Sequence, residues 1–357
     1  MPNYSGSWNL VQQMQAVAAY NWPGSIAPGT FAIFALGLAP SASTTRDKYT
    51  FSSCLNASAT ASSAASSAGS AAGNATVGIF AIGNSTTTRD KYTYSGCVNA
   101  SATAASVASY YGSAAGNATV GIFALGNASG ASTTRNKYTY SGCVNASATA
   151  SSAASFEGSA AGNATVGIFA LGCTSGASTT RDKYTFSGCV VSSGAAASAA
   201  SYGSSAAGNS TVGIFALGNA PSASTTRNKY TYSGCVNASA TAASAASLAG
   251  SAAGNSTVGI FALGYVSGIG GTTCRNKYTY SGDTNGTATA ASAASSSGSA
   301  AGNSTVGIFA LGSVSAAPST TRNKYTYSGD VNASAAAATA ASSQGSAASN
   351  GTCGVNI

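Results

Sequence analysis

The chain has 357 residues, a formal net charge of +8, no histidine, 6% charged residues and 44% hydrophobic ones. A composition led by Ala, Ser, Gly and Thr often marks a disordered linker, yet the apolar residues here return in register, which argues for a folded chain. Without His the commonest general base and metal ligand is missing, and the six carboxylates are scattered without acid–base spacing. An enzyme, a cofactor and a metal site are therefore not expected.

Residues 1–30 stand apart from the rest. Leu10, Met14 and Val17 recur at i, i+4 and i+7, which predicts a short amphipathic helix ended by Pro23, with Trp8 and Trp22 flanking it. No basic stretch leads into an apolar core there, and no segment approaches the ~18 apolar residues of a membrane span. A soluble chain with no export signal and no membrane insertion is expected.

The segment Tyr4-Ser5-Gly6-x-Trp8-x-Leu10, with Gln12-Gln13-x-Gln15-Ala16 and the closing Trp22-Pro23, resembles the N-termini of bacteriophage tail-fibre and other virion structural proteins. The resemblance covers about 24 residues. It implies that residues 1–30 are an attachment segment that holds other virion proteins through Tyr4, Trp8, Leu10, Met14 and Trp22. The remainder of the chain would then be displayed outward on a virion assembled in the host cytoplasm.

From residue 31 onward one unit of about 46 residues recurs seven times. Ile-Phe-Ala-Leu-Gly starts at Ile33, Ile79 (with Ile82 in place of Leu), Ile122, Ile168, Ile214, Ile260 and Ile308. So short an apolar run bounded by Gly suits a strand buried on both faces. Arg-x-Lys-Tyr-Thr-Tyr/Phe comes next, from Arg46, Arg89, Arg135, Arg181, Arg227, Arg275 and Arg322, and its period-2 alternation predicts a strand with one packed face. Two weaker strands complete the unit: an innermost one around Gly-Ser-Ala-Ala, and an outer one at the Ala-Thr-Ala-Ala stretch such as 102–106. A lone sheet of this size cannot offset its ordering entropy, and four-stranded repeats of 40–50 residues close into rings. The expectation is an all-β, seven-bladed β-propeller over 31–357, its first blade completed by a surplus strand at 345–352. The layout is similar to kelch-type propellers, although one Gly follows the second strand where kelch repeats carry two, and no Trp occurs in any repeat.

All 14 cations fall in the seven Arg-x-Lys-Tyr motifs, so the basic charge is spread by symmetry and no nucleic-acid groove is expected. The Arg residues are read in two ways. Either they ring one rim and attract acidic groups, or they and the Lys residues pair with Asp47, Asp90 and Asp182 and stack on Tyr; the second reading is preferred. Cys54, Cys97, Cys143, Cys189 and Cys235 share one repeat position, too far apart for bridges, so free thiols at a surface site are expected. The recurrent Asn-x-Ser/Thr is read as a turn signal.

Differences between repeats have two foci. The spacing from Ile to the next Arg is 13, 10, 13, 13, 13, 15 and 14, whereas Arg to the next Ile is always 33. Side chains differ in the pair before the innermost strand: Ser67-Ala68, Tyr110-Tyr111, Phe156-Glu157, Tyr202-Gly203, Leu248-Ala249, Ser296-Ser297 and Ser343-Gln344. In an antiparallel blade both regions leave by one face, where binding concentrates on a rigid scaffold. Tyr110, Tyr111, Phe156, Glu157, Tyr202 and Leu248 are thus read as a contact patch for a sugar or a protein, with drift at a permissive loop as the alternative. The expected function is non-enzymatic recognition of a host-surface glycan or protein, with homo-oligomerisation left open. A cellular kelch-type interaction scaffold or lectin-like propeller is the alternative.

Overall fold

Val and Ile in Val-Gly-Ile-Phe-Ala favour extended backbone. In the computed structural model this run is a strand at Val77–Ala81, Val120–Ala124, Val166–Ala170, Val212–Ala216, Val258–Ala262 and Val306–Ala310, with Phe31–Ala35 as its counterpart in the first repeat. The structure describes residues 30–349, apart from 36, 39–40, 96–98, 125, 128, 143, 171, 174, 188–190, 217, 220–221, 267 and 316. The helix and attachment segment expected at 1–30 therefore lie outside the described residues, but for Thr30.

Among the described residues there is no helix, and there are seven four-stranded antiparallel sheets with two small three-stranded ones. One four-stranded sheet runs Ser70–Gly73, Val77–Ala81, Arg89–Thr93 and Asn99–Ala102 from inside to outside, and the others repeat this order. Its register pairs Ile79 with Lys91 and Phe80 with Asp90. The fold is a β-propeller. The innermost strand of blade one is Ser346–Ser349, which pairs with Phe31–Ala35 and lies between Ser70–Gly73 and Ser299–Gly302. The end of the described chain thus pairs with its beginning through Ser346–Ser349, and residues 350–352 of the expected strand lie outside the described residues.

Each apolar cluster lies between two neighbouring blades. Ile33, Ala35 and Ala348 of blade one meet Phe80, Tyr92 and Tyr94 of blade two, and the pattern repeats round to Ile308 of blade seven against Phe34 and Tyr49 of blade one. The Ile and Phe of the second strand are buried on opposite faces, each worth ~1.5–3 kcal/mol. Blade-to-blade packing therefore holds the fold, and a single blade has no core of its own.

The Arg residues do not ring a rim. All seven are at most 2% exposed, because each reaches across into the following blade. Arg46, Arg89, Arg135, Arg181, Arg227, Arg275 and Arg322 lie 4.7–4.8 Å from the rings of Phe80, Phe123, Phe169, Phe215, Phe261, Phe309 and Phe34. They face a carboxylate in three cases, Asp90, Asp182 and Asp47 at 3.4, 3.7 and 2.9 Å. In the other four they donate to the amide oxygens of Asn136, Asn228, Asn276 and Asn323. Burial pushes Arg89 and Arg275 down to about 10, still charged at neutral pH. Pairing with Asp matches the preferred reading of the sequence, but the stacking partner is chiefly Phe, across the blade boundary.

Two further expectations are corrected. The outer strand is not Ala-Thr-Ala-Ala but the preceding Asn-Ala-Ser-Ala, as in Asn99–Ala102. The Ala-Thr-Ala-Ala stretch leaves the sheet because its backbone is bound elsewhere: Ala105 N donates to Thr87 O in its own blade's loop between second and third strands, and Ser106 N to Asn136 Oδ1 of the next blade. The repeated Cys site is half-buried where it is described, at Cys54 and Cys235, with both residues at positive φ; Cys97, Cys143 and Cys189 lie outside the described residues. None of the described thiols is in a disulfide. The turn reading of Asn holds at Asn74 and Asn117, where Asn117 Oδ1 accepts from Thr119 N and Val120 N while its amide donates to Ala164 O of the next blade, but not at Asn56 and Asn99, which open outer strands.

Candidate functional site: the axial mouth

The varied pair links two structures. Its first residue bonds outward to the loop between second and third strands: Tyr110 with Asn127, Phe156 with Cys173, Tyr202 with Asn219, and Leu248 with Tyr265. In blades six and seven this contact grows into the small sheets 247–271 and 295–318. The two variable regions therefore touch on one side of the disc.

The second residue of the pair turns inward, and its backbone joins a closed circle. Tyr111 N donates to Ala68 O at 2.8 Å, Glu157 N to Tyr111 O at 3.0 Å and Gly203 N to Glu157 O at 3.1 Å. Ala249, Ser297, Gln344 and Ala68 continue to the start with bonds of 3.0–3.1 Å, the last from Ala68 N to Gln344 O. All seven residues have φ between 48° and 59°. That region suits Gly, yet only Gly203 is one; the other six hold left-handed backbone at ~1–3 kcal/mol each. The Gly that ends each second strand supports the circle from outside. A Cβ on Gly126 (φ +66°) would lie 2.4 Å from Tyr110 O.

Inside this circle is a cavity of about 340 Å³, lined among others by Tyr111, Glu157, Tyr202, Leu248, Ser297 and Gln344. It shares Gly69, Gly112, Gly158, Ser204, Gly298 and Gly345 with a narrower axial channel of about 160 Å³ walled by the Ser-Ala starts of the innermost strands. Four of the six residues singled out in the sequence line the mouth. Tyr110 and Phe156 do not; Tyr110 leans on Tyr111, with ring centroids 5.0 Å apart. Sequence reasoning missed Gln344, Ser297 and Asn219, the last of which donates to the Tyr202 hydroxyl at 2.6 Å. The signal for Gln344 was present, since it breaks the Ala/Ser pattern at the same repeat position as Glu157.

Glu157 is half-buried, and burial alone raises its carboxyl above the ordinary value. It takes part in none of the three ion pairs among the described residues. The nearby Cys173 thiol is raised by burial and, second, by the Glu157 charge. Among the described residues no cluster of His, Cys, Asp or Glu could hold a metal ion, and no helix is long and apolar enough to cross a membrane. The arrangement offers a preformed concave surface with aromatic, apolar, amide and carboxylate groups, which is chemistry for holding a ligand.

No protein-family model matches the chain, and no curated protein matches it. Solved structures do. One described as "Structure of YjhT" is similar over 77% of this chain and 98% of its own, with a TM-score of 0.58 at 9% identity. At that identity the likeness concerns fold alone.

Proposed function

We propose that this chain is a non-enzymatic recognition protein of a bacteriophage virion, a tail fibre or surface decoration, that engages a host-surface glycan or protein at the axial mouth. The carrying observation is the division of labour at the varied pair. The backbone of its second residue closes the circle in all seven blades, so side chains there change without disturbing the ring, and Tyr111, Glu157, Tyr202, Leu248 and Gln344 bring aromatic, acidic, apolar and amide groups to the mouth. Six residues holding left-handed backbone at positions that accept Gly support the same reading, because such strain gathers where side chains have work. The virion assignment rests on the likeness of residues 1–24 to tail-fibre N-termini, with Tyr4, Trp8, Leu10, Met14 and Trp22 as its contacts.

Purified chain, with and without residues 1–30, is to be tested for capture on bacterial surface-glycan arrays. Capture that survives loss of 1–30 and disappears in Tyr111→Ala and Tyr202→Ala is expected. Capture indifferent to both tyrosines counts against the mouth, and absence of the chain from purified particles counts against the virion.

A further inference from the structure

We propose that the axial mouth binds a protonated amino group carried by its ligand, with Glu157 as counter-ion and Tyr111 and Tyr202 as aromatic walls; this rests on the mouth being the recognition site.

The first support is charge. Glu157 is the only Asp, Glu, Lys or Arg among the residues that line the cavity, although the chain carries 14 cations. The seven Arg residues are sealed between blades, and no Lys lines the mouth. An otherwise basic protein thus turns a single negative charge toward its axis. An anionic ligand would meet repulsion there and find no cation to receive it.

The second support is space. On the circle, Glu157 lies between Tyr111 and Gly203, which donates to the Glu157 carbonyl. A Cβ on Gly203 would meet only Ala249 N, at 3.9 Å, so open space stands at the circle position next to Glu157, with Tyr202 the residue before it. Gly203 is the single member of the circle without a side chain, and its place is next to the single charge. The cavity's volume suits one small head group.

The third support is chemistry. A partly desolvated carboxylate attracts an ammonium more strongly than one in water, and the faces of Tyr add cation–π attraction. Leu248 and Ala249 give the carbon chain of the ligand an apolar wall, and the Gln344 amide and Ser297 hydroxyl contribute uncharged polar groups.

A lysine side chain and an amino sugar both carry this group, and two probe pairs separate them. The full chain is titrated by calorimetry at neutral pH with Nα-acetyl-lysine methylamide and its Nε-acetylated form, and with the glucosamine dimer and its N-acetylated form. At least one free amine is expected to bind, with its acetylated partner and the Glu157→Gln variant each weaker by tenfold or more. The pair that responds identifies the source. Equal binding of an amine and its acetylated form, unchanged binding by Glu157→Gln, or no binding of either amine at millimolar concentration overturns the assignment. The acetylation arm needs no variant, so it stands even if a substitution disturbs folding. If glycan capture needs Tyr111 and Tyr202 but ignores Glu157→Gln, the amine assignment falls and the recognition reading survives. If capture ignores all three residues, both fall.

Discussion

Replacing Arg46 and Arg275 by Met, in separate variants, tests the blade-to-blade links. Each Arg lies over a Phe of the next blade, Phe80 at 4.8 Å and Phe309 at 4.7 Å, so each variant loses a desolvated cation–π contact of ~1–2 kcal/mol. The partners then decide the difference. Arg275 leaves two neutral amide oxygens, and that of Asn323 still accepts from Ser292 N at 3.0 Å. Its own desolvation cost also disappears, so a total loss of ~1–3 kcal/mol is expected. Arg46 instead leaves Asp90, fully buried, as a lone charge held among the described residues by Ser63. Breaking a buried pair from one side costs ~3–5 kcal/mol. Urea unfolding monitored by circular dichroism should therefore separate the variants by ~2 kcal/mol, and adding Asp90→Asn to Arg46→Met should recover most of that gap. Equal losses at the two sites, or no recovery in the double variant, would refute the view that carboxylate and amide partners make these links unequal.

Glu157→Gln should raise the melting temperature near pH 7 and lose its advantage below pH 4.5. The sign comes from a folded-state pKa above the ordinary 4.5: the wild type's folding stability falls as pH rises through that raised value, and Gln removes the penalty. Gly126→Ala, where the new methyl meets Tyr110 O at 2.4 Å, should cost more than ~3 kcal/mol in thermal unfolding; Gly130→Ala, with nothing within 4 Å, should cost ~1. A Cβ on Gly78 would lie 2.9 Å from the Tyr94 hydroxyl, whereas blade one carries Ala32 and Phe51 at the equivalent positions. Tyr94→Phe should accordingly offset part of the damage of Gly78→Ala, with a coupling of ~0.5–3 kcal/mol in a double-mutant cycle.

The second and third strands were legible because Ile-Phe-Ala and Lys-Tyr-Thr-Tyr carry their own periodicity. The outer strand was displaced by about four residues, since Asn-Ala-Ser-Ala and Ala-Thr-Ala-Ala differ little in composition. What separates them is a side chain one repeat away, Asn136 taking the backbone of Ser106. Arg burial was hidden for the same reason: a charged residue after a loop reads as exposed until Phe80 and Asp90 are known to stand opposite Arg46. At the mouth, Tyr111, Glu157, Tyr202 and Leu248 announced themselves by breaking the repeat. The circle did not, because left-handed backbone is seldom looked for at Tyr, Glu or Gln.

Closure of the ring is most directly tested by amide hydrogen exchange at Ala68, Tyr111, Glu157, Gly203, Ala249, Ser297 and Gln344. A continuous circle predicts comparable protection at all seven, and loss of protection at Ala68 when residues 345–357 are removed, since the strand Ser346–Ser349 that anchors its acceptor Gln344 O to Phe31–Ala35 is then gone. Fast exchange at Ala68 in the intact chain, with the other six protected, would mean that the circle is open between the C-terminal strand of blade one and blade two.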